Sequence, residues 1–152
     1  MANFNVPKIG QANSSICWLA CYQMMYGYQK RPTHDPWEIA KRAGLSTSSG
    51  LDSDDWGKAR DAMGLTSYRV SHLKASAENL TNVLANHGPM WCAGDFLPDG
   101  SPHAIVISGY DDTTLRINDP YEIYQYYSYK WLTWDTWRKR VKELPFACQV
   151  WP

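Results

Sequence analysis

Cysteine is scarce in this chain, at four residues in 152, too few for the disulfide scaffold of a small secreted domain. Cys17 and Cys21 lie four apart with Trp18, Leu19 and Ala20 between them, an apolar spacing unlike any zinc knuckle. Free thiols and a reducing site of action are therefore expected. Net charge is also missing. Fifteen Lys and Arg balance fifteen Asp and Glu, so no strong field would draw a nucleic acid or an anionic membrane. No apolar run nears the roughly 18 residues of a membrane span, and the polar start Met1-Ala2-Asn3-Phe4-Asn5 does not read as a signal peptide. Repeats, low-complexity tracts and linkers are lacking too, so 1–152 reads as one domain, long enough to bury a core. Phe is rare at three residues, against eight Trp and ten Tyr. Such an aromatic excess either fills the core in place of Phe or lines a binding groove.

The first half reads as helical. Ser14 or Ser15 is placed to cap a helix through Ile16, Leu19, Ala20, Gln23 and Met24, ending near Gly27. Asp35-Pro36 opens a helix from Trp37 to Ala43, closed by Gly44. Asp52 or Ser53 starts another, with Trp56, Ala59, Ala62 and Met63 on one side and Gly64 at its end. Ser76 caps a fourth that carries Leu80, Val83 and Leu84 inward. The second half reads as strands: Met90 to Phe96, Ala104 to Tyr110, Leu115 to Asp119, an aromatic-rich Tyr121 to Tyr129, and Phe146 to Trp151. A helix from Thr133 to Lys142 interrupts them. Helices first and an antiparallel sheet afterwards define an α+β fold.

Three neighbourhoods carry chemistry. In Gln11-Ala12-Asn13-Ser14-Ser15-Ile16-Cys17-Trp18, Cys17 falls in the first turn of the predicted helix, where the dipole stabilises a thiolate and backbone N–H groups remain free for an oxyanion. Gln11, six residues earlier, brings a side-chain amide that fits the same oxyanion. In Ser101-Pro102-His103-Ala104-Ile105-Val106-Ile107, His103 opens a buried strand, a firm seat for a general base. In Leu115-Arg116-Ile117-Asn118-Asp119-Pro120, alternation puts Ile117 and Asp119 on one face and Arg116 and Asn118 on the other. The tight turn at Asp111-Asp112-Thr113 returns this strand's end beside His103, where a carboxylate can fix the imidazole. Asp119 is preferred as that partner, with Asn118 kept as the alternative. Alone, Cys17 would read as a small buried apolar residue, the reading that Cys21, Cys92 and Cys148 keep. His34, His72 and His87 read as solvated, and Asp52, Asp54 and Asp55 as helix-start charges. Cys17, Cys21 and His103 lack a sensibly spaced fourth ligand, so neither metal nor cofactor is expected. The polar run Ser46-Thr47-Ser48-Ser49-Gly50 is a candidate border of a cleft.

Gln-x5-Cys-Trp, then His opening an apolar strand, then Asp-Pro sixteen residues later, resembles the papain-like cysteine peptidase superfamily. The likeness is to its compact bacterial branches: double-glycine leader peptidases, and peptidases that bacteria deliver as toxins or effectors. Papain itself has a longer gap between Cys and His and an Asn as third member. The resemblance implies a papain-like fold and a catalytic set of Cys17, His103, Asp119 and Gln11, the last in the oxyanion hole. It further implies a protein or peptide substrate, cleavage after Gly-Gly if specificity follows the leader peptidases, and delivery into a target cell's cytoplasm. A delivered toxin would be matched by an immunity protein in its cleft, and the domain could be one piece of a longer toxin or effector. Three rivals stand beside this reading: a peptidoglycan amidase or peptidase, a transglutaminase- or deamidase-type acyl transferase, and a catalytically silent binding module.

Overall fold

A computed structural model describes residues 1–13, 15–29, 34–122 and 130–152. Its centre is helix α1 (Cys17–Tyr28), which buries Trp18, Leu19, Cys21, Tyr22, Met24 and Met25. A helix apolar on nearly every side belongs inside a core rather than on its surface. It lies against strands β3 (Met90–Gly94) and β4 (His103–Tyr110). Before it comes the short strand β1 (Ala2–Asn3). Helices α2 (Pro36–Arg42) and α3 (Trp56–Met63) pack on each other beside α1. The expected signals operate here: Asp35 accepts the Trp37 N–H at 3.0 Å, and Gly64 ends α3 at φ +77°. Next come strand β2 (Thr66–Ser67) and the paired helices α4 (Val70–Ala75) and α5 (Ala77–His87). Ser76 caps α5 through the Asn79 N–H.

The described strands form one antiparallel sheet in the order β2-β7-β3-β4-β5-β6, with β1 beside β4. Here β5 is Thr114–Asn118, β6 is Lys130–Thr133 and β7 is Cys148–Val150. Helix α6 (Trp134–Arg140) follows β6, capped by Thr133. This is the α+β arrangement expected, helical part first. The sequence reading missed α4, β1, β2 and β6, which are too short to show a period. It also treated Tyr121 to Tyr129 as a strand. Tyr121 instead belongs to a 3₁₀ turn, Pro120–Glu122, and 123–129 lie outside the described residues.

One irregularity in the sheet matters for all that follows. Tyr110 faces Leu115 and Gly109 faces Arg116, but Ile107 faces Ile117 and Val106 faces Asn118. Ser108 is therefore an extra residue in β4, a β-bulge. Its hydroxyl donates to Asn118 Oδ1 at 2.7 Å and accepts from Arg116 Nε at 3.1 Å. The N-terminal segment closes over this spot. Arg116 Nη2 donates to the carbonyls of Phe4 and Ser108, and Asn118 Nδ2 faces those of Val6 and Pro7. Gly109 permits the approach, because a Cβ there would stand 2.7 Å from the Ala2 carbonyl.

Much of the aromatic excess fills the core. Tyr22 stacks on Trp91 with centroids 5.1 Å apart, and Trp56 meets Trp91 edge-on. Buried indole N–H groups need acceptors: Trp91 donates to the Trp18 carbonyl, Trp56 to that of Leu51 and Trp151 to that of Met25. Cys92 and Cys148 face each other across β3 and β7 with sulfurs 3.8 Å apart, both as free thiols. His87 departs from expectation. Rather than standing in solvent, it is half-buried between the Tyr68 hydroxyl and the Trp151 carbonyl. His34 and His72 are exposed.

The hydroxyl of Tyr22 donates to buried Gln149 Oε1 at 2.7 Å, while Gln149 Nε2 reaches the carbonyls of Trp56 and Phe146. Tyr22→Phe strands that acceptor, and should lower unfolding stability by about 1–3 kcal/mol. Urea denaturation measures it; an unchanged midpoint would mean that Gln149 finds another donor.

Candidate active site

Cys17 is the first residue of α1. Of the two expected caps, Ser15 lies outside the helix and Ser14 is outside the described residues; the cap position is Ile16, with no side-chain hydrogen bond. The buried Ile16 side chain anchors the helix start by apolar packing instead. The opening N–H groups of a helix have no intrahelical acceptor. The Leu19 and Ala20 N–H groups both turn back to the Ile16 carbonyl at 3.2 Å, and Cys17 stands at the positive end of the dipole.

The Cys17 sulfur is half-buried and accepts the Ala104 N–H at 3.4 Å. That contact ties α1 to the first residues of β4, where His103 stands. His103 Nε2 lies 2.6 Å from Asp119 Oδ1, both side chains being 3% exposed. The Cys17 side chain stands close enough to the imidazole to help raise its pKa. Burial by itself would pull the His103 pKa down. The Asp119 hydrogen bond, the bond to Cys17 and the charges of both outweigh it and push the pKa up to about 9. The site thus favours the imidazolium, which is the form that pairs with a thiolate.

Asp119 Oδ1 accepts a second bond, from the Tyr121 N–H at 3.0 Å, and Lys130 Nζ stands 3.8 Å from Oδ2. Asn118 faces away, fully buried against Ser108 and the N-terminal segment. Of the two neighbours, His103 is paired with Asp119. Gln11 is buried, and its N–H reaches the Pro120 carbonyl at 3.3 Å, joining its loop to the Asp119-Pro120 corner. Its Nε2 donates to the Asn13 carbonyl at 2.8 Å. Lys130 and Tyr121 had no signal in the sequence. Both reach Asp119 through strand register and turn geometry rather than through any motif.

A cleft of about 250 Å³ opens beside Cys17 and His103. Trp18, Trp56 and Trp91 line it with Gly50 and Leu51, so the polar run ending at Gly50 does border it. The Trp18 indole holds that border by donating to the Ser49 carbonyl at 3.0 Å. Among the described residues, no cluster of His, Cys, Asp and Glu could hold a metal ion. A thiol at a helix start, an imidazole in the same cleft, and a carboxylate behind the imidazole form a constellation able to perform acyl transfer.

Comparison with solved structures places this fold among bacterial double-glycine and C39-like peptidases. A double-glycine-motif protease from an AMS/PCAT transporter, solved with its leader peptide, is 17% identical, with a TM-score of 0.60 over 99% of this chain and 92% of that one. The peptidase domain of Streptococcus ComA, a bifunctional ABC transporter of a quorum-sensing pathway, is 10% identical, with a TM-score of 0.61 over 94% of each chain. A C39-like peptidase structure from Bacillus anthracis is 14% identical, with a TM-score of 0.58 over 97% of this chain and 95% of that one. Curated protein sequences contain no match. The fold is thus that of papain-like cysteine peptidases. Residues 1–134 match the family model described as papain-like cysteine protease AvrRpt2, and the chain belongs to that family.

The raised pKa of His103 has a consequence for stability. A histidine free at about 6.5 when unfolded and held near 9 when folded stabilises the native state fully below pH 6.5. That contribution fades as pH rises through 9, and is on the order of 3 kcal/mol at its fullest. The stability difference between wild type and Asp119→Asn should therefore shrink between pH 6.5 and 9.5. Denaturation at stepped pH checks this, and a constant difference would contradict the pairing.

Proposed function

We propose that this cysteine peptidase cleaves a protein substrate through a Cys17–His103–Asp119 triad. The observation that carries the reading is the 2.6 Å bond from His103 to Asp119, in a cleft shared with a thiol that begins a helix. The Cys17 thiolate attacks a peptide carbonyl and forms a C–S bond. The tetrahedral oxyanion is met by the Cys17 N–H and the Gln11 side-chain amide. His103 gives its proton to the leaving amine, and the C–N bond breaks to leave a thioester. The same imidazole, now neutral, takes a proton from water, whose oxygen displaces the thiol and releases the acid.

The proposal extends to the setting. The peptidase acts in the cytoplasm of a target cell after bacterial delivery, and a cognate immunity protein occupies its cleft in the producer. What supports this is the resemblance of the Gln-x5-Cys-Trp and His-x15-Asp-Pro motifs to delivered bacterial peptidases. The structural likeness to double-glycine proteases supports a related specificity, with Gly-Gly on the acyl side of the cut.

Cells or lysates expressing wild type and Cys17→Ala, compared for new protein N-termini, test the function. New termini should arise with wild type alone, while Cys17→Ala keeps the native circular dichroism; cleavage by the mutant would sink the reading. Gly-Gly recurring before the new termini would support the specificity, and its absence would refute it. Within the triad, Asp119→Ala should lower kcat by at least about 100-fold. Gln11→Ala should cost about 10²–10³-fold in kcat with little change in KM. Asn118→Ala should mainly lower stability, measured beside the rates; the reverse ranking of Asp119 and Asn118 would reassign the third role.

A further inference from the structure

The three strands β4, β5 and β6 bring one side chain each to a common point. Asp119 directly follows β5, whose register sets it opposite Ile105 of β4 and two residues beyond Ile117. Lys130 of β6 pairs with Ile117. His103 and Lys130 are therefore diagonal neighbours of Asp119 on the same sheet face, one from each side. Diagonal partners are within reach of long side chains. The contacts follow: His103 Nε2 on Oδ1 at 2.6 Å, and Lys130 Nζ at 3.8 Å from Oδ2.

Charge counting gives that placement its meaning. A thiolate, an imidazolium and a carboxylate sum to one negative charge, and the carboxylate and imidazole are nearly withdrawn from water. An unbalanced buried charge is costly. We infer that Lys130 is a positioning residue of the active site, its ammonium supplying the fourth charge that balances the set and holds Asp119 Oδ2 so that Oδ1 faces His103. The inference rests on the triad reading above. Among the described residues, the titratable groups facing the pair are Cys17 and Cys21 of α1, Tyr121 of the 3₁₀ turn and Lys130. Lys142 lines the same cleft as His103, but its ammonium pairs with Asp95 at 2.9 Å. The contact that joins Lys130 to the triad is the one with Asp119 Oδ2.

The sign of the effect is fixed. Removing a cation from beside Asp119 leaves more of the carboxylate's charge to the imidazolium, which then holds its proton more tightly. The proton that His103 must give to the leaving amine becomes harder to release. The side chain of Lys130 is 29% exposed, so solvent screens part of its field.

The test is an NMR titration of His103 in wild type, Lys130→Met, Lys130→Gln and Lys130→Arg. It is paired with the pH profile of Cys17 alkylation by iodoacetamide and with thermal melts. Lys130→Met and Lys130→Gln should raise the His103 midpoint by about 0.5–1 pH unit. Where a cleavable peptide is in hand, kcat should fall about 3- to 10-fold with KM nearly unchanged. Lys130→Arg should restore the wild-type values. A His103 midpoint unmoved or lowered in both neutral variants, with melting intact, overturns the role of Lys130. A wild-type His103 titrating near 6.5, with alkylation of Cys17 indifferent to His103→Ala, overturns the triad itself. The two failures are thus told apart without any substrate.

Discussion

The candidate site depends on one extra residue in a strand. Facing partners on antiparallel strands share a sheet face, and shifting register by one residue moves every side chain to the other face. The register near the turn, Tyr110 opposite Leu115, would if continued set Asp119 opposite Val106, on the face away from His103. Asn118 would then share the face of His103. The bulge at Ser108 reverses this, carrying Asp119 to the face of His103 and Asn118 to the opposite side. The Ser108 hydroxyl, Arg116, Asn118 and the N-terminal segment consume the hydrogen-bonding capacity that the bulge releases, so the irregularity is held from both sides.

Around that point the site combines apolar anchoring with concentrated charge. Helix α1 is fixed by its buried side chains, and its first residue needs no polar cap. Packing of Ile16, Leu19 and Tyr22, rather than a polar side chain, holds the helix start. The same economy appears in the tryptophans. Trp18, Trp56 and Trp91 fill the space between helices and sheet, while their edges form the cleft wall beside Cys17. Core and groove are one set of side chains, so mutations meant to alter the groove will also disturb folding.

Much of the fold could be read from local signals. Asp35-Pro36, Ser76, Thr133 and Gly64 mark helix ends by chemistry that operates within a few residues. The strands His103–Tyr110 and Thr114–Asn118 follow from β-branched runs joined at a short polar turn. What escaped reading was either short or non-local. The strands β1 and β2 have two residues each and exist because partner strands accept them. His87 looked like a solvated residue at a helix end, yet the Tyr68 hydroxyl and the last turn of chain close over it.

The sequence by itself determined the chemical types and their order: a thiol at a helix start, an amide six residues before it, an imidazole opening a buried strand, and an acid before a proline. These are local facts, carried by propensity, capping and alternation. It also placed Asn118 and Asp119 side by side, and alternation put them on opposite faces without revealing which face His103 shares. Tertiary structure decided that, through the Ser108 bulge, and placed Lys130 on the far carboxylate oxygen. The physical reason is that strand register is a property of pairs of segments. No window of residues contains it, whereas the identity of a nucleophile and its base can be written in one.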